Sequence, residues 1–379
     1  MRAIRQNYWT CSASVPGRPR CRSGDEILRA VLWFLEARKL RDWVPFYCDA
    51  DRVGAFAVAP NELAVGGDGA IFRVFVALSM YQALRDVVIM RRQRSLPRAS
   101  VRVVADESFV RRSIARHECP VLHSADAFEE GCDVAKLGES VDCGTCPGLS
   151  CHVKDATLVF NRMGDMGKLP TSAWLRLWRG GGVRQLLADV CRKEASPTKR
   201  AGLLVERFAR VHRVGRKLAT MFVSAMSTPA LGPGLTPWFP DIDGNHLVVI
   251  DTNVARVVDA LRKPGAPKSY DARELWLRSQ AVRLNLRELR PDLPSYSPRF
   301  VQEALYAFSS RSNRAAEGDP CAERRTPCGG CAPTLCPFAK AWTKDRAISA
   351  RTRRPSQMLS GPPLAARRTT ISIPRGKSA

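Results

Sequence analysis

A mostly α-helical molecule in two parts is predicted by three observations. Apolar residues recur at helical spacing in one stretch after another. Gly- and Pro-marked breaks separate those stretches. The chain, at 379 residues, exceeds what one compact core of ordinary size holds.

The elements follow in order. Behind an acidic first turn, "DEILRAVLWFLEARKL" (25–40) has the apolar spacing of a helix. After the Gly-rich "GGDG" (66–69), "AIFRVFVALSMYQALRDVVIMRRQ" reads as a largely buried helix or helix pair. Residues 95–160 are the least regular part, and they hold His117, Cys119, His123 and a first group of cysteines. Helix resumes with a Gly break in "TSAWLRLWRGGGVRQLLADVCRK" (171–193). From a Ser-Pro start, "SPTKRAGLLVERFARVHRVGRKLATMFVSAM" predicts helix, short Gly-containing turn and helix, with Leu218, Met221, Phe222 and Ala225 on one face. A Pro/Gly-rich loop spans 227–246, and two more helices are expected in "DTNVARVVDALRK" and "SPRFVQEALYAFSSR".

Sixty Lys and Arg against 36 Asp and Glu give a net charge of +24. Such an excess points to a polyanionic partner, nucleic acid before an anionic membrane, because binding releases counterions. Biased base composition of the genome is the alternative source of so many arginines. No run of 18 apolar residues is present, so no spanning helix is expected. The opening "MRAIRQNYWTCSASV" lacks the apolar run of a secretion signal, although its Arg and Ser content also suits an organelle transit peptide. A reducing, cytoplasmic setting follows, in which clustered cysteines read as metal ligands before disulfides.

Four thiols, Cys321, Cys328, Cys331 and Cys336, are spaced Cys-x6-Cys-x2-Cys-x4-Cys. Iron–sulfur, zinc and free or disulfide-bonded thiols are all open to that spacing. Cys132, Cys143, Cys146 and Cys151 repeat the last two gaps, so a second metal, zinc or iron–sulfur, is a candidate there, with Cys119, His117, His123 and His152 as spare ligands. Around Gly215, "VHRVGRKLATMFV" can point backbone N–H groups at a phosphate, flanked by Arg213, Arg216 and Lys217. An ordinary turn with a solvated basic face would look the same. Asp251, after the apolar run "LVVI", is either a helix cap or a carboxylate facing a reacting centre.

The order of these parts resembles the helix-hairpin-helix DNA glycosylases of the endonuclease III type. Val214, Gly215, Arg216, Lys217 and Ala219 match that family's L-P-G-V-G-R-K-T-A hairpin, and Asp251, Thr252, Arg256 and Val257 match its V-D-T-H-x-x-R-V. The C-terminal cysteines match its [4Fe–4S] loop with one residue fewer in the last gap, and "LSMYQALRD" resembles its L-S-x-Q-x-x-D helix with one extra residue on each side of Gln82. The resemblance covers residues 68–92 and 196–342. His212 and Arg213 replace the hairpin's Pro-Gly, Asn253 stands where His is usual, and 227–246 is an insertion.

The resemblance implies a two-part helical glycosylase fold with a C-terminal iron–sulfur loop and an irregular Cys-rich insertion. Composition gives a poorly ordered 1–25 and a disordered basic tail 343–379; with the resemblance, the segments between them are N-terminal helices 26–95, the insertion 96–160, a helical domain 161–315 with hairpin and catalytic Asp, and the cluster loop 316–342. The resemblance further implies base-excision repair, with Lys217 and Asp251 catalytic. Gln82, Arg213, Val214, Gly215, Arg216 and Arg256 would contact damaged or mismatched duplex DNA, and Cys321, Cys328, Cys331 and Cys336 would hold the cluster. A monomer near the nucleoid is expected, with or without lyase activity. Two rival readings stand beside it: an iron–sulfur protein that grips DNA or RNA but has lost cleavage, and a zinc-bearing regulator.

Overall fold

The computed structural model describes residues 26–39, 44–82, 84–137, 140–160 and 165–310. Among these residues the regular structure is helical apart from one short antiparallel hairpin, in which Ala135–Leu137 pairs with Ser140–Asp142. The mostly α expectation holds.

Two apolar cores are present. The first is built around the Asp68–Ser79 helix, nine of whose residues are buried. A helix apolar on nearly every face must be surrounded. Here the Arg98–Ala105, Glu107–Ala115, Gly182–Lys193 and Arg216–Ser227 helices cover it. Rings lock the centre: Phe75 lies 5.0 Å from Phe222 and 5.2 Å from Phe208, and Trp178 lies 4.9 Å from Phe72. Each such pair adds about 1 kcal/mol beyond the area it buries.

The second core joins distant parts of the chain. The Glu26–Lys39 helix lays Ala30, Val31, Phe34 and Leu35 against the Pro298–Ser309 helix, with Phe34 and Phe300 at 5.4 Å. Val254, Val257 and Val258 of the Thr252–Leu261 helix and Leu277 of the Tyr270–Ala281 helix complete it. The first described helix therefore lies in the second core, residues 47–247 build the first apart from Ala230, and the chain returns to the second at Val248.

Residues 96–160 are not the irregular insertion that the sequence suggests. The Arg98–Ala105 helix buries Val101, Val104 and Ala105, and the Glu107–Ala115 helix buries Val110 and Ile114. The Ala125–Gly131 and His152–Phe160 helices follow. Each is two turns or so, too short for its periodicity to stand out, and each is stabilised by packing rather than propensity. Local caps assist: Asp106 accepts from Phe109 N at 3.0 Å, and Ser124 from Ala127 N at 3.1 Å. Among the described residues of this segment, the cysteine-bearing 143–151 is the longest stretch without helix or strand. The loop 227–246 is likewise packed, with Trp238 and Ile242 buried in the first core.

Candidate functional site

The Pro197–Phe208 and Arg216–Ser227 helices form a hairpin joined by residues 209–215. Pro197 at the first position and Ser196, accepting from Lys199 N at 3.4 Å, start the first helix. Val211 and Val214 anchor the turn in the first core, so Val214 is a packing residue whose side chain does not face solvent. Val214 N donates to Val211 O at 2.8 Å, and His212 N to Ser172 Oγ at 2.9 Å.

This wiring places Arg213 at φ 64°, a left-handed conformation that no other non-glycine among the described residues adopts. The turn holds a non-glycine residue in a backbone that glycine favours, at a cost of about 1–2 kcal/mol. The side chain offsets part of it: Arg213 Nε donates to Asp165, which His212 Nε2 also meets at 2.9 Å. Partial burial pushes the Asp165 carboxyl up, but His212 and Arg213 outweigh it and hold it below the usual range.

Arg216 is also engaged. Its guanidinium bridges Asp271 at 2.5 Å and Glu274 at 2.6 Å and lies over the Tyr270 ring at 4.7 Å. Gly215 opens the second helix at φ −83°, and a Cβ there would meet nothing within 4 Å.

Lys217, on the first turn of that helix, reaches back to the first core: its half-buried ammonium donates to Tyr81 O at 3.0 Å. The next residue is Gln82, whose Nε2 donates to Ser79 O at 2.6 Å. Asp251 caps the Thr252–Leu261 helix, Oδ1 accepting from Val254 N at 2.7 Å. Burial pushes its carboxyl up. The Val254 N–H and the nearby Lys217 ammonium act against that shift, while Asp86 and Glu303 add to it. Capping and exposure to the lysine are thus one arrangement rather than rivals. Arg256, one turn further on, donates to Ser309 O at 3.4 Å, where a cation meets the negative end of the Pro298–Ser309 helix.

Sequence reasoning missed the polar residues beneath this site. Arg299, Gln302, Glu303 and Tyr306 form a stripe at helical spacing on the otherwise apolar Pro298–Ser309 helix. Arg299 binds Glu303 at 2.7 Å, Gln302 at 2.5 Å and, across the cores, Ser224 Oγ at 2.8 Å. Tyr306 donates to Asp86. Burial, then the Asp86, Asp251 and Glu303 carboxylates, push its hydroxyl far above the ordinary value, so it stays protonated. The i, i+3, i+4, i+7 pattern of these four residues was the available signal.

Cys132, Cys143, Cys146 and Cys151 line one cavity together with Cys119, well separated in sequence from the lysine site. Among the described residues no group of three His, Cys, Asp or Glu side chains stands ready as a ligand set. His152 is not a spare ligand: it is buried between Thr171 Oγ1 at 2.9 Å and Val103 O at 2.8 Å, which occupy both ring nitrogens. His123 Nδ1 is turned to Pro120 O at 2.6 Å, and His117 Nδ1 accepts from Cys119 N at 3.0 Å. Cys321, Cys328, Cys331 and Cys336 lie outside the described residues.

No family model, curated protein or solved structure matches the chain. Among the described residues no helix is long and apolar enough to cross a membrane.

Proposed function

We propose that the protein is a base-excision DNA glycosylase with lyase activity, acting on a damaged or mismatched base turned out of a duplex. The observation that carries this reading is that Lys217 lies near enough to Asp251 for its charge to act on that carboxyl. They open two different helices, and Lys217 also holds the Tyr81 carbonyl next to Gln82. Three segments matched one by one to a glycosylase pattern thus share one place.

The chemistry suits that arrangement. A stacked base is out of reach, so the nucleotide is extruded, and Gln82 fills the space it leaves. As the N-glycosidic bond breaks, positive charge grows on the sugar, and the Asp251 carboxylate stabilises it. Having given up a proton, the Lys217 amine attacks C1′; the base departs with the bonding pair and takes up a proton. Loss of one proton from the new C–N centre and ring opening give a Schiff base. Removal of a 2′ proton then expels the 3′ phosphate. The exposed Gly215 at the helix start, with open space where a Cβ would stand, leaves room for a phosphate against the backbone N–H groups.

Cys321, Cys328, Cys331 and Cys336 are a soft four-thiolate set of the kind that holds [4Fe–4S], and in this reading the cluster supports DNA positioning without entering bond cleavage. The test is borohydride trapping on a panel of damaged duplexes. Lys217→Ala is expected to abolish the covalent complex while duplex binding persists, and Asp251→Asn to stop base release. Trapping that survives Lys217→Ala removes the nucleophile assignment. Wild-type protein that binds every duplex and releases no base returns the protein to the binding-only class.

A further inference from the structure

Five of the seven described cysteines converge on one cavity from separate elements. Cys119 precedes a short turn, Cys132 ends the Ala125–Gly131 helix, Cys143 and Cys146 follow the hairpin strand Ser140–Asp142, and Cys151 precedes the His152–Phe160 helix. All are free thiols. Packing alone does not account for them. The loop that carries three of them exposes Gly144, Thr145, Pro147, Gly148, Leu149 and Ser150, and has no helix or strand of its own.

That loop is nonetheless built with care. The buried Lys154 ammonium spends its donors on Asp142 at 2.6 Å and on the Cys146 and Leu149 carbonyls at 2.8 Å each. Asp133 receives Gly144 N at 2.9 Å and Thr145 Oγ1 at 3.3 Å. Backbone N–H groups are aimed at sulfur: Cys146 N at Cys143 Sγ, 3.3 Å, and Lys154 N at Cys151 Sγ, 3.5 Å. An N–H donor gains little from a neutral thiol and more from a thiolate, whose charge it shares. The cavity measures about 30 Å³. That is room enough for a single ion.

We propose that this cavity binds one zinc-class divalent ion through the thiolates of Cys132, Cys143, Cys146 and Cys151, with Cys119 as an adjacent free thiol. The ion replaces four S–H protons, which leave to solvent, and no oxidation is involved. Because no three of the thiols stand ready as a ligand group among the described residues, the proposal requires the thiols to draw together when the ion binds. The site orders that loop and is independent of Lys217 and Asp251.

The experiment is metal analysis of the full-length protein purified without affinity metal, followed by cobalt substitution. About one zinc per chain is expected, in addition to any iron. Cobalt should give the intense bands of a tetrahedral, thiolate-rich site. Cys143→Ser with Cys146→Ser should remove the zinc and leave iron unchanged, whereas Cys119→Ser and Cys191→Ser should keep both. If the double variant fails to fold, chelator treatment of the wild type provides the second measurement. It should release one zinc and make four further thiols reactive to alkylation, reversibly on zinc addition. Absence of zinc in the wild type, loss of iron in the double variant, a Cys119–Cys146 disulfide in the native protein, or loss of zinc in Cys119→Ser would each overturn the proposal.

Discussion

At the scale of single residues, Arg213 and Asp251 show how one position serves the backbone and the site together. Arg213 holds a left-handed backbone at φ 64° and a half-exposed ion pair with Asp165. Replacing it separates the two effects, because glycine and alanine both lose the side chain and only alanine keeps the strain. Arg213→Gly should be more stable than Arg213→Ala by about 1 kcal/mol, read from urea midpoints at constant m. Equal midpoints would mean that the turn relaxes out of the left-handed region. For Asp251, burial raises the folded-state pKa above its ordinary value. The folded protein thus holds this proton more tightly than the unfolded chain, and the residue's contribution to stability falls as pH rises through that window. Asn caps a helix about as well as Asp and carries no charge. Asp251→Asn should therefore match or exceed the wild type in stability at neutral pH, with the gap closing as pH falls towards the carboxylate range. Asp251→Ala, which also loses the cap, should be less stable than Asp251→Asn by about 1 kcal/mol. Urea titrations across pH decide both, and a neutral-pH Asn variant well below the wild type would argue against a raised pKa.

At the scale of elements, the Pro298–Ser309 helix is both wall and bracket. Its apolar face closes the second core, and its polar stripe ties Ser224 of the first core to the acidic floor beneath Asp251. Arg299 is 6 % exposed and serves three partners. Arg299→Ala should cost about 3 kcal/mol in a denaturant titration, since Glu303 and Ser224 lose their donor while remaining partly buried. A change within about 0.5 kcal/mol would show that water replaces the guanidinium freely. Sequence patterning made this helix legible as apolar, and likewise "RKLATMFVSAM" with Leu218 and Phe222. It did not reveal the helices at 98–105 and 107–115, where Val101, Val104, Val110 and Ile114 are too few to establish a period. The candidate site could be named from sequence at Lys217, Gly215 and Asp251 because neighbours in sequence define each motif. Asp86 and Tyr306 were not, because only the fold brings residues so far apart into contact.

At the scale of the whole molecule, charge and connectivity dominate. If duplex DNA is the partner, as proposed above, a net +24 makes the association an exchange of bound cations. Affinity should fall by a factor of about a thousand or more between about 50 and 200 mM monovalent salt, measured by anisotropy on an undamaged duplex. From Arg351 onward the sequence holds seven basic residues and no acidic one, so removing 343–379 should flatten that salt slope. A slope near zero in the full chain would exclude the polyanion reading. Within the described residues Arg213, Arg216 and Arg256 all have protein partners, so a phosphate at the hairpin would have to compete with Asp165 and Asp271.

The pairing of the Glu26–Lys39 and Pro298–Ser309 helices also has a temporal side. During synthesis on the ribosome the first of them emerges long before its partner exists, carrying Ile27, Leu28, Val31 and Phe34 uncovered until the last is made. The first core, whose residues lie consecutively between the two, can close meanwhile. A product truncated anywhere before Pro298 keeps that greasy face in view. Chaperones and proteases thus have a simple mark by which to retain or discard incomplete copies.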